Sequence, residues 1–236
     1  LFVGKQIKGE YMESSTSKVA AIVGVVLALG IGIFSGYMIA DSKANMDNNQ
    51  SMSTQQSSKE ADLRVAMNNL LREHVTSSLT VTRNIVDGAP AEKIEGAKAA
   101  QTANAVAIAT AVGGIYGQEA QTAITAPFVE HIAQSNNYAQ AVANGDMMAR
   151  DTSLAALRAE LRKVATVFNS VIPSLSADTL YEALSAHEDL LNQAAVEYKA
   201  GNFAKAYELE NEALVQISGG AEALSGGIVK SKPDMF

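Results

Sequence analysis

The chain has 236 residues, with 18 Lys+Arg against 25 Asp+Glu, a net charge of −7, no Cys, no Trp and three His. A cysteine-free chain excludes a disulfide framework, a thiolate metal site and a cysteine nucleophile. The acidic balance argues against nucleic acid as the main partner, because that affinity comes from Lys and Arg neutralising phosphates.

The first feature along the chain is a run of 22 uncharged residues from Val19 to Ala40, bounded by Lys18 and Asp41. At about 1.5 Å per residue a helix of this length spans the ~30 Å hydrocarbon core of a bilayer, and no face of it is polar. Lys5, Lys8 and Lys18 precede the run, whereas only Lys43 follows closely. Residues 1–18 are therefore expected in the cytoplasm and the bulk of the chain outside the cytoplasmic membrane. No effector domain is expected on the inner side from a segment this short. A cleaved signal peptide is the competing reading. Ser42-Lys43-Ala44 lies well beyond the apolar run and Met38-Ile39-Ala40 lacks a small first residue, which favours an uncleaved signal anchor over 19–40. Gly24, Ala28, Gly32 and Gly36 recur every four residues, forming a ridge without side-chain bulk on which a second membrane helix can pack.

Residues 41–58 are rich in Ser, Asn and Gln, with almost no apolar anchor, and read as a flexible polar linker. Residues 59–236 form the extracytoplasmic domain, where the apolar spacing is helical throughout. Leu63, Met67, Leu70, Leu71, His74, Val75 and Leu79 mark a first helix ending at Asp87-Gly88. Further helices are expected over about 90–113, stopped by Gly113-Gly114, then 118–143, 147–171, 176–199 and 202–229. The uncharged stretch 99–118 contains Gln101, Thr102, Asn104 and Thr110, too polar for lipid, so a buried Ala-rich helix is expected there.

A repeat organises these helices. His74, His131 and His187 are spaced by 57 and 56 residues, and Gly88, Gly145 and Gly201 repeat that spacing fourteen residues later. Each unit reads as one helical hairpin, so the expected fold is all-α: a six-helix bundle of three repeated hairpins, preceded by one transmembrane helix.

The stretch from Leu180 to Phe236, with LSAHEDLLNQAAVEYKAGNFAKAYELENEAL and the ending GGIVKSKPDMF, resembles a group of helical-repeat proteins of bacteria and archaea. Its members are similar in having Glu-His-bearing helices, a Gly-Asn or Gly-Asp hinge, and a Gly-Ile-(Val/Ile)-(Lys/Arg) ending before a Pro-Asp-x-Phe tail. The resemblance extends over residues 63–236 and implies the fold rather than an activity. The chain departs from the pattern at Ala186, where the other units have Glu, and in its alanine-rich second helix.

The histidines are the one constellation that points to chemistry. Three imidazoles can ligate zinc or copper with a position left open. In an open stack of hairpins equivalent positions lie roughly 20 Å apart, so only a closed pseudo-threefold bundle lets His74, His131 and His187 share an ion. The favoured expectation is that each is structural, satisfied by a carboxylate or carbonyl of its own hairpin, with no cofactor; shared zinc or copper is the alternative. Glu73 and Glu130 are expected at the rim, and Glu208, Glu210 and Glu212 on a solvated helix face. Tyr116, Phe128, Tyr138, Phe168, Tyr181, Tyr198, Phe203 and Tyr207 are expected in the core or closing hairpins. No nucleophile elbow, phosphate loop, dinucleotide fingerprint or His-Glu-x-x-His pattern occurs, so no enzymatic activity is expected. The functional expectation is a membrane-tethered, non-catalytic binding or assembly module, whose partner is a protein or, through the anchor, a second copy; the alternative is a metal- or small-ligand-binding protein.

Overall fold

The computed structural model describes residues 50–236. The expected membrane helix and its Gly24, Ala28, Gly32, Gly36 ridge lie outside the described residues. Among the described residues no helix is long and apolar enough to cross a membrane.

Six helices follow one another: α1 Gln50–Val86, α2 Ala91–Tyr116, α3 Gln118–Asn144, α4 Met147–Val171, α5 Ala177–Lys199 and α6 Phe203–Ser231, closed by a short 3-10 turn, Pro233–Met235. There is no strand among the described residues. The glycines that punctuate the sequence explain where hairpins turn. Gly88, Gly145 and Gly201 have φ of 65°, 69° and 80°, left-handed values open to glycine at little cost. Each closes the same pair of terminal hydrogen bonds: Gly88 N–H to the Ile85 carbonyl and Ala89 N–H to that of Asn84, then Gly145 to Val142 with Asp146 to Ala141, then Gly201 to Tyr198 with Asn202 to Glu197. One helix-ending motif thus occurs three times at equivalent positions.

Two boundaries differ from the sequence expectation. α1 begins at Gln50, inside the segment read as a linker, because a helix nucleated by the apolar residues from Leu63 onward extends backward at little cost through Gln, Ser and Lys. Gly113-Gly114 does not stop α2, which runs on to Tyr116 and breaks at Gly117, φ 97°. Gly113 serves packing instead: a Cβ there would lie 2.5 Å from the Gln121 Cβ, so its bare backbone lets α3 approach α2.

Each helix packs on the next, and α6 returns to α1, so the six form a closed ring; α1, α3 and α5 also pack on one another and make its inner layer. These three run parallel, and the three glycine hinges gather at one end. A run of arginines on α1 clasps α6: Arg64 Nε lies 3.0 Å from Glu222 Oε2, Arg72 donates to the Leu214 carbonyl and Ser218 Oγ, both at 3.3 Å, and Arg83 makes a two-pronged pair with Glu210. Glu210, expected on a solvated face, is buried because this pair needs it at the seam, while Glu208 and Glu212 are exposed. The apolar core, with Met67, Val75, Ile108, Ile124, Val164 and Ile228 fully enclosed, fills the space between the helices.

A buried histidine layer as the candidate site

His74, His131 and His187 project from the inner helices α1, α3 and α5, and the closed ring brings them together. The His74 ring centroid lies 5.5 Å from that of His131 and 6.4 Å from that of His187. Phe128, one turn before His131, packs against both neighbours, 5.2 Å from His74 and 4.7 Å from His131, with Phe168 at 6.2 Å behind it. All three histidines are 2–3% exposed. Their convergence follows from the repeat: equal spacing on parallel helices places equivalent residues at one height, and closure supplies the lateral approach.

The expectation that each ring bonds within its own hairpin is met only in the choice of neighbours. Asn104 on α2 faces His74, the Phe128 carbonyl faces His131 and Gln216 on α6 faces His187. None of these approaches closes a hydrogen bond of normal geometry. Nδ1 of all three rings, Nε2 of His187, Asn104 Oδ1 and Gln216 Oε1 are buried without a hydrogen-bond partner among the described residues. Asn104 Nδ2 donates to the Leu70 carbonyl at 3.0 Å, and Gln216 Nε2 to the Ala183 carbonyl at 2.9 Å, which fixes both amides.

The carboxylate nearest His131 comes from another hairpin. Glu188 on α5, 2% exposed, has Oε1 4.0 Å from His131 Nε2, beyond hydrogen-bond length, and accepts from Ser135 Oγ at 3.2 Å. Sequence reading passed over Glu188, although a signal for it exists. The residue after each histidine is Val75, Ile132 and Glu188; the first two are core, so the third unit puts a carboxyl where the repeat calls for an apolar side chain. Glu73 and Glu130, which precede their histidines, are exposed as expected. Beside the layer, Gln101, 1% exposed, donates to Ser78 Oγ at 2.9 Å and accepts from Asn136 at 3.0 Å, so a polar string crosses from α1 through α2 to α3.

Burial sets the charge of this layer. It pushes His74 down to about 4 and His187 to about 3, and it holds His131 well below the ordinary value, with the neighbouring histidines adding to the effect. Burial pushes Glu188 up to about 7, partly offset by the Ser135 hydrogen bond and by Arg158. Arg158 itself is paired with Asp189. At neutral pH the rings are therefore uncharged. Among the described residues no three His, Cys, Asp or Glu side chains are arranged so as to hold a metal ion between them.

No family model, curated protein or solved structure matches the chain.

Proposed function

We propose that the chain is a membrane-tethered, non-catalytic helical module that engages a protein partner, or a second copy of itself, outside the cytoplasmic membrane. The observation that carries this reading is the placement of large apolar side chains at the glycine-hinge end of the bundle. Met147 is 67% exposed, Met148 80% and Phe203 50%, at the first turns of α4 and α6. Methionine and aromatic side chains on a surface suit protein recognition. The ionisable groups of the histidine layer are sealed inside, out of reach of a substrate. The uncharged run 19–40 and its lysine asymmetry support the tether and the outward orientation.

The alternative in which the histidines share zinc or copper has their convergence in its favour. Among the described residues, however, no three such side chains are arranged to hold an ion between them, so the reading preferred here treats the rings as packing and titrating groups. A photo-reactive residue at position 148 tests the main proposal in intact membranes. It should yield a discrete crosslinked product that Met147→Lys reduces. Only the uncrosslinked chain, with protease unable to reach the domain in spheroplasts, contradicts it.

A further inference from the structure

The three-histidine layer joins all three hairpins at one level and holds more protonatable rings than it has counter-charges. α1 contributes His74; α2 contributes the uncharged amides of Gln101 and Asn104; α3 contributes His131 and the Ser135 hydroxyl. α4 contributes Arg158, already paired with Asp189 of α5; α5 adds His187 and Glu188; α6 contributes the Gln216 amide. One carboxyl thus faces three imidazoles, and it can offset one proton at most. It sits against His131, and among the described residues His74 and His187 have no anionic neighbour.

We propose that this layer is an acid-sensitive latch: neutral rings pack α1, α3 and α5 together, and protonation of the rings drives these inner helices apart. The geometry gives the reason. Cations whose rings are held 5.5 Å and 6.4 Å apart in a buried layer repel strongly, and the groups that face His74 and His187 are the neutral amides of Asn104 and Gln216, which carry no charge to offset theirs. Opening hydrates the rings and relieves both costs. Because the layer ties the hairpins to one another, its loss loosens the contacts between hairpins before the contacts within them. The lowered pKa values of the three rings agree with this, since a proton is accepted more readily once they reach water. For a domain held outside the membrane, the trigger is acidification of its surroundings.

The test uses the full chain in lipid nanodiscs. Amide hydrogen exchange of α1, α3 and α5 around the histidines is measured at pH 7.5 and 5.0 and corrected for the intrinsic pH dependence of exchange. Protection should fall about tenfold or more at pH 5.0 in the native chain, and His187→Leu should retain more of it. Equal protection at both pH values overturns the latch, as does a fall that His187→Leu leaves unchanged. Should that variant not fold, the native chain still decides the matter, because its three histidines are the only ones present and Glu188, which titrates in the same interval, acts in the opposite sense. Imidazole titration by NMR should place the folded-state protonation of His74 near pH 4 and of His187 near pH 3, with His131 well below its ordinary range; ordinary titration near 6.5 overturns the proposal.

Discussion

His131 Nε2 faces Glu188 Oε1 across 4.0 Å, from α3 to α5, with both side chains withdrawn from solvent. The contact joins the second repeat to the third and puts a carboxyl at a position that the other repeats fill with Val75 and Ile132. Glu188→Ala removes the acceptor of Ser135 and leaves a void; the expected cost is about 1–3 kcal/mol. His131→Gln should cost a similar amount, about 1–3 kcal/mol, without altering metal content. Chemical denaturation of both variants checks these values, and a neutral result for each would show that the contact is incidental.

Stability should depend on pH with a definite sign. His74 and His187 are lowered by burial from 6.5 to about 4 and about 3, and His131 is lowered with them. A group depressed in this way contributes fully above pH 6.5 and loses its contribution as the pH falls through the folded values, because the unfolded chain takes the proton first. Glu188, raised from 4.5 to about 7, acts in the opposite sense: its contribution is full below 4.5 and is lost as the pH rises through 7. Between pH 4.5 and 6.5 three rings outweigh one carboxyl. The urea midpoint should therefore climb across that interval and level off, or dip slightly, by pH 7. A midpoint that declines from pH 5 to 6.5 contradicts the assignment of neutral rings.

The Arg83–Glu210 pair closes the ring between the first helix and the last. Glu210→Ala should cost about 1–3 kcal/mol, less than a fully enclosed pair, because the Arg83 side chain stays 37% exposed and keeps its access to water. Arg83 also lies over the Tyr207 ring, 5.0 Å from its centroid, so Arg83→Met retains part of the packing. Combining Arg83→Met with Glu210→Leu should cost less than the sum of the single changes, which a double-mutant cycle measures.

The hinges were legible in the sequence and so was the repeat. Gly145→Ala should destabilise the fold by about 1–2 kcal/mol, since a Cβ at φ 69° is strained although nothing crowds it. The same change at Gly88 and Gly201 should cost alike, and a hinge that accepts alanine freely would mean that its left-handed turn is not formed. The histidine and glycine spacing gave the helices and their turns because both depend on local pattern. Closure did not follow from it: an open stack and a closed ring share that spacing, and what separates them is the long-range return of α6 to α1 through Arg64, Arg72 and Arg83. Glu210 was misread for the same reason, its partner lying more than a hundred residues away. Gly113 was misread because close helix approach and helix termination both favour glycine. The departure at Glu188 could be seen only by aligning the repeats position by position.

Zinc or copper added at one equivalent should leave the melting temperature unchanged if the rings are packing groups. A rise in melting temperature that His131→Gln abolishes, together with about one ion bound per chain, would transfer the layer to the metal-binding reading.

The convergence of the histidines is the central claim, and ring-to-ring NMR contacts test it most directly. With the imidazoles selectively labelled, the His74 ring protons should show cross-peaks to the rings of His131 and Phe128, whose centroids lie 5.5 Å and 5.2 Å away. Cross-peaks from each histidine to its own hairpin alone, with none between His74 and His131, would contradict the closed bundle and the layer it builds.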